Sequence, residues 1–170
     1  MTSPTPIQTA PKPSQTMSFY GVGPLYYGIS AFGAVLCAWA AFHFPIFVLR
    51  ALPQWLSIAI GSALILGGVT LYLAGLCSSR IAKAVRDGHL VTDGIYAYTR
   101  NPLYCGGLLG MTGILLILQT WLALPFLLLS YLFLRRLVRR EEAMLARKYG
   151  REYLLYRQRT NAVFPGPKRA

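Results

Sequence analysis

Residues 101–134, NPLYCGGLLGMTGILLILQTWLALPFLLLSYLFL, contain no Asp, Glu, Lys or Arg. Arg100 precedes this run of 34 residues and Arg135 follows it. As one helix the run would reach about 51 Å, far beyond a bilayer core that about 20 apolar residues can span. It therefore reads as two helices. The polar pair Gln119-Thr120 divides it, and Pro125 falls early in the second half, where a first helical turn tolerates proline. The expected arms are Leu103 to Leu118, short at about 24 Å, and Trp121 to about Leu137.

Two more charge-free runs lie upstream, 37 residues between Lys12 and Arg50 and 29 between Arg50 and Arg80. A soluble protein can bury one such helix, but three in 170 residues need a much larger protein around them. The spans expected here are Leu25 to Phe42, ending near His43 and Pro45, and Trp55 to Leu76. In the second span Gly61, Gly67 and Gly68 offer small surfaces for close helix contact. Composition agrees: 55% hydrophobic, 13% charged, mean hydropathy +0.45, yet a net charge of +12. A soluble nucleic-acid binder with that excess would carry far more total charge, so nucleic acid is not the expected partner. The fold class is all-α, an integral membrane helical bundle of about four transmembrane helices.

The cations give the sidedness. Of the 17, four fall between Cys77 and Asn101 and eleven from Arg135 onward. The hairpin puts both segments on one side, which the positive-inside rule identifies as cytoplasmic, together with both termini. Residues 1–18 are a Pro-, Thr- and Ser-rich tail expected to be disordered, and its prolines break any signal-peptide core, so the first run reads as a retained anchor. Residues 19–80 hold the first two spans. Residues 81–170 hold the cytoplasmic loop, the hairpin and a C-terminal cytoplasmic helix over Arg139 to Arg159. Val138, Leu145, Tyr149, Tyr153 and Tyr156 share one face of that helix, and Gly150 weakens its middle. Cys37, Cys77 and Cys105 give no disulfide framework and no metal spacing.

All five acids, Asp87, Asp93, Glu141, Glu142 and Glu152, lie in the two cytoplasmic segments. The first segment runs HLVTDGIYAYTRNPLYCGG from His89 to Gly107. Asp93-Gly94 signals a turn, and Asn101-Pro102 signals a helix entry with Asn101 as cap. Gly106 and Gly110 form a small face that backbone or a ligand can approach.

This segment resembles a known family. His89 to Gly106 fits the pattern His-x-Val-Thr-x-Gly-x-Tyr-x-x-x-Arg-(His or Asn)-Pro-x-Tyr-x-Gly. Across the hairpin follow Arg140, Glu141, Glu142, Leu145, Tyr149, Gly150, Tyr153, Tyr156 and Pro165. Together the two blocks look like the isoprenylcysteine carboxyl methyltransferase and phospholipid methyltransferase superfamily, over Val85 to Pro167. Asn101 stands where the eukaryotic carboxyl methyltransferases have histidine, and asparagine occurs in bacterial-type members. The resemblance implies S-adenosyl-L-methionine as cofactor, held by the cytoplasmic ends of the last helices and the C-terminal tail without a Rossmann domain. It implies Arg100, Asn101 and Glu142 as catalytic residues. The implied cofactor-binding set is His89, Leu90, Val91, Gly94, Tyr96, Arg100, Asn101, Pro102, Tyr104, Glu141 and Glu142, with no metal.

These residue types suit the chemistry. Methyl transfer from a sulfonium is an in-line displacement in which the donor's positive charge disappears, so positioning and a dry site matter most. Tyr96, Tyr98 and Tyr104 are candidates for cation–π contact, although such tyrosines also form interfacial belts. A cofactor carboxylate needs a donor, for which Arg100, His89 and Asn101 are placed. Ribose hydroxyls and an amine need acceptors, which Glu141 or Glu142 can supply; the same pair can simply neutralise a basic helix start. His43 reads as interfacial.

The leading expectation is an enzyme that methylates a lipophilic or lipidated acceptor entering from the bilayer: a carboxylate, amine, thiol or phenol. A carboxylate is already ionised at neutral pH and needs no base. A sterol-type reductase is disfavoured because such proteins are much longer. The non-enzymatic alternative is a small membrane scaffold whose polybasic tail binds anionic lipid or a partner. Membrane lipids are partners in each case, and the oligomeric state stays open.

Overall fold

The computed structural model describes residues 23–77 and 89–166. The tail over 1–18 and the charged residues Arg80, Lys83, Arg86 and Asp87 lie outside the described residues. Among the described residues there are five α-helices and no strand: α1 Gly23–His43, α2 Gln54–Cys77, α3 Pro102–Ile117, α4 Ala123–Tyr149 and α5 Arg151–Arg159. Helices α1 and α2 are long and apolar enough to cross a membrane, with 21 and 24 residues. Their outer faces expose Phe32, Val35, Trp39, Phe42, Leu66, Val69 and Leu73. Apolar surface this continuous suits an apolar solvent, and together with the family assignment below it marks a membrane-associated protein.

The tightest helix pair is α2 on α3. Ser57, Gly61, Gly68 and Gly75 are the buried residues of α2, the three glycines seven apart on one face. A Cβ at Gly68 would sit 2.6 Å from the Gly106 carbonyl oxygen and 2.8 Å from the Gly110 nitrogen. One at Gly61 would sit 2.7 Å from the Gly113 carbonyl oxygen. The two backbones therefore touch, which only side-chain-free positions allow. Gly61 and Gly68 are in this seam as expected, and Gly106 meets backbone rather than a ligand. Gly67 instead faces open space.

The hairpin turns where the sequence divides it. Helix α3 ends at Ile117 and α4 begins at Ala123, with Gln119 at φ +48. The Gln119 side chain ties this turn to the α1–α2 connection. Its Nε2 shares two N–H groups among the Leu52 carbonyl (3.0 Å), Gln54 Oε1 (3.0 Å) and Ser57 Oγ (3.1 Å), and its Oε1 accepts from Leu52 N–H (3.3 Å). Thr120 and Trp121 add bonds to the Phe47 and Ile46 carbonyls. Between the two ends Tyr26, Tyr104, Cys105, Leu108, Leu134, Leu137 and Val138 form the larger core cluster with Val163.

The C-terminal helix differs from expectation. Helix α4 runs unbroken for 27 residues, so Arg139 to Tyr149 continue the second hairpin arm. The chain then turns at Gly150 (φ 56, ψ −128) into α5. No residue between Leu137 and Tyr149 disfavours a helix, and the first that does is a glycine able to adopt positive φ. Asn101 also departs from its expected role. It stands at the α3 N-terminus but makes no side-chain cap bond, because its Nδ2 donates to the Ala162 carbonyl.

Gly68→Val should drive α2 off α3 and cost about 1–3 kcal/mol or more. Gly67→Ala should cost nothing or stabilise by about 0.5–1 kcal/mol, because a mid-helix glycine is replaced where space is open. Thermal unfolding of the two variants in detergent separates these outcomes.

Candidate functional site

The charged end of the hairpin is organised by Arg100, whose side chain is 8% exposed. Its Nε and Nη2 donate to Glu142 Oε1 at 2.8 and 2.6 Å. Its Nη1 donates to the Arg157 carbonyl at 3.0 Å and to the Thr160 carbonyl. A guanidinium has five N–H donors, so four are committed and one on Nη2 remains. Arg157 Nε approaches Glu142 Oε2 at a looser 3.7 Å. A buried pair of this kind is costly to desolvate, and the two backbone carbonyls compensate by satisfying the far side of the guanidinium.

Around this pair the two motif blocks are laced together. Thr99 Oγ1 donates to the Val163 carbonyl at 2.6 Å, Arg100 N–H to the Asn161 carbonyl at 2.9 Å, and Tyr156 OH to the Tyr96 carbonyl at 2.7 Å. Gly94, at φ 60, opens the short 3₁₀ turn Gly94–Ala97 that leads into this segment. The packing leaves an open cleft with about 140 Å³ of room at this end of the bundle.

Eight of the eleven residues expected at the cofactor line this cleft: His89, Leu90, Val91, Tyr96, Arg100, Asn101, Glu141 and Glu142. Gly94, Pro102 and Tyr104 do not. Gly94 shapes the turn and Pro102 starts α3. The Tyr104 hydroxyl donates to Glu141 Oε1 at 2.7 Å while its ring packs against those of Tyr26 and Tyr27. Tyr98, an aromatic candidate, is exposed and absent from the cleft lining. The structure adds Leu145, Tyr149, Tyr153 and Tyr156 to the lining. Their shared helical face is readable in the sequence; that the corner at Gly150 folds Tyr153 and Tyr156 back over Arg100 is not.

The electrostatics favour neutral tyrosines. Burial pushes the Tyr96 and Tyr153 phenols up to about 12. For Tyr153 the Glu142 carboxylate adds to the rise while Arg100 and Arg157 oppose it. Burial likewise raises Tyr156, against a lowering by Arg100. All three therefore stay protonated at neutral pH. Tyr153 is 1% exposed, and its hydroxyl stands next to the Arg100 guanidinium without a hydrogen bond of good geometry among the described residues. A buried orphan hydroxyl beside a cleft wants a polar ligand atom. With the aromatic faces and the spare capacity of Glu142 Oε2, the residues present fit a cofactor that carries a cation, hydroxyls and a carboxylate.

The sequence pattern of the phospholipid methyltransferase family matches residues 56–152, from the start of α2 to the start of α5. Three curated relatives are similar. Protein-S-isoprenylcysteine O-methyltransferase of Schizosaccharomyces pombe is 35% identical over 85 residues, covering 49% of this chain and 36% of the relative. Its namesake of Tribolium castaneum is 29% identical over 141 residues, covering 78% and 50%. Protein-S-isoprenylcysteine O-methyltransferase B of Arabidopsis thaliana is 31% identical over 104 residues, covering 59% and 53%. The chain spans about half or less of the length of these relatives. The resemblance carried by the two motif blocks is thus borne out, and with more than half of its residues matched, the chain belongs to the phospholipid methyltransferase family.

Proposed function

We propose that this chain is an S-adenosylmethionine-dependent methyltransferase acting on a lipophilic acceptor at the cytoplasmic face of a membrane. The observation that carries this reading is the cleft, in which residues 89–101, the end of α4 and α5 meet around a buried ion pair. Family membership and the printed names of the relatives support the reaction class. In this reading α1 to α4 are four spans, and the cation-rich segments around 80–100 and after 135 face the cytoplasm with both termini.

The bound cofactor supplies a sulfonium methyl group. The Tyr96, Tyr153 and Tyr156 rings give that cation π-faces and keep water out. The Tyr153 hydroxyl and the one uncommitted Arg100 N–H donate to cofactor oxygens, and Glu142 Oε2 and Glu141 accept from its amine or ribose hydroxyls. Arg100 is thus more a brace for Glu142 than a direct clamp. In this reading the acceptor reaches the cleft from the lipid side. A carboxylate acceptor fits best, because it is ionised at neutral pH and asks for no base.

Two kinds of variant separate ligand contact from scaffold. Tyr153→Phe removes an orphan hydroxyl, so the Tm of the ligand-free protein should hold or rise while S-adenosylhomocysteine affinity, measured by calorimetry in detergent, falls about tenfold. Arg100→Ala strands a buried carboxylate and should cost about 3–5 kcal/mol of stability before any ligand is added. Unchanged affinity in Tyr153→Phe overturns the assigned role of that hydroxyl.

Wild-type protein should bind S-adenosylhomocysteine saturably and transfer label from the methyl donor to a prenylcysteine carboxylate in preference to phospholipid amines or lipophilic phenols and thiols. Absence of any saturable binding would leave the non-enzymatic scaffold as the better description. Transfer to an amine alone would keep the enzyme and replace its acceptor.

A further inference from the structure

A second cleft lies on the far side of the Arg100–Glu142 pair, between α4 and the segment that follows α5. It opens over Tyr131, Arg135, Arg139, Arg157 and Phe164, with about 600 Å³ of space. Besides Arg100, three guanidiniums thus border one hollow. The carboxylate nearest them, Glu142, is already held at 2.6 Å by Arg100, and Arg157 reaches it at only 3.7 Å. Arg135 and Arg139 have no carboxylate partner among the described residues. Arg135 is instead steadied over the Tyr131 ring, 5.9 Å from its centroid. Glu142 is the one carboxylate among the lining residues, so the arginines outnumber it and the hollow suits an anion, and the guanidinium fork matches phosphate geometry.

The position along α4 specifies what kind of anion. Arg135 stands where the apolar run of α4 stops. Below it Leu124, Leu128, Leu129 and Leu132 are exposed, at 48% or more, on the outside of the bundle. Arg135 and Arg139 also border a neighbouring hollow whose apolar wall is Leu129, Leu132 and Phe133. From Leu124 to Leu134 the helix rises about 15 Å, the depth of one bilayer leaflet. Cationic donors at the top of an exposed apolar strip of that height match a single phospholipid, with its phosphate at the arginines and its chains along the leucines.

We propose that Arg135, Arg139 and Arg157 bind the phosphate of an anionic phospholipid, at a site separate from the cofactor cleft and sharing with it only the Arg100–Glu142 wall. The site does not depend on the methyltransferase reading. A diffuse polybasic surface would attract anionic lipid through every cation roughly equally, at about 1 kcal/mol each. A built site concentrates the effect in these three residues.

Native mass spectrometry of the full chain in nonionic detergent, with phosphatidylglycerol, phosphatidylcholine or inorganic phosphate as probe, tests this. The expected result is one saturable phosphatidylglycerol, bound at least tenfold more tightly than phosphatidylcholine. That preference should be lost in R135Q/R139Q. It should persist within twofold in R147Q/R151Q, which neutralises two exposed arginines of the same basic tail away from the cleft. R139Q alone, with a loss of threefold or more, serves if the double variant does not fold. Equal binding of the two lipids by wild-type protein overturns the proposal, as do equal losses in both double variants. Inorganic phosphate binding as tightly as phosphatidylglycerol overturns the lipid and leaves a free-anion site.

Discussion

The ion pair between Arg100 and Glu142 joins parts of the chain that stand 42 residues apart in sequence. Arg100 ends the loop that enters α3, and Glu142 sits five turns into α4. With its Nη1 on the Arg157 and Thr160 carbonyls, the same guanidinium anchors the end of α5. Burying two charges is unfavourable by itself, and it is sustained here because nearly every donor of the guanidinium is satisfied. Remove that arginine and three things loosen together: the loop, the α4 extension and the returning C-terminal segment. Both clefts have this pair as a wall, so the geometry of each depends on it.

A pair this exacting needs a rigid frame beneath it. The frame is the α2–α3 seam, where glycines let backbones touch, and the opposite end is pinned by Gln119. Hydrogen bonds at the uncharged end hold the hairpin turn against the α1–α2 connection. The charged end can then position side chains from three helices and two loops. Outside this frame the surface of α1 and α2 is left apolar, in keeping with a membrane-associated protein.

The distribution of polar groups follows the same division. The tyrosines of the cleft are kept neutral by burial, whereas the arginines on the outer side of α4 stand at the boundary where an apolar strip ends. One side of the Arg100–Glu142 wall is aromatic and suited to a cation. The other is cationic and suited to an anion. A single buried pair separates two environments of opposite preference.

Charge-free runs and their lengths were enough to place α1, α2, α3 and the start of α4, because the cost of a charge in an apolar medium leaves a one-dimensional trace. Residues 101–134 divide at Gln119-Thr120 as their length requires, and the two motif blocks supplied all twelve of the cleft's lining residues, eight of them expected at the cofactor. Tertiary structure alone decided the rest. Gly150 could weaken a helix or turn it, and only the packing of Tyr153 and Tyr156 over residues 96–101 selects the turn. Asn101 could cap α3, yet the Ala162 carbonyl, 61 residues away, takes its amide. Arg100 had the charge for a ligand carboxylate, but Glu142 and two distant carbonyls take most of its donors. A side chain's charge and size are local properties written in the sequence. Which partner satisfies it is settled by competition among groups that meet only when the chain has folded.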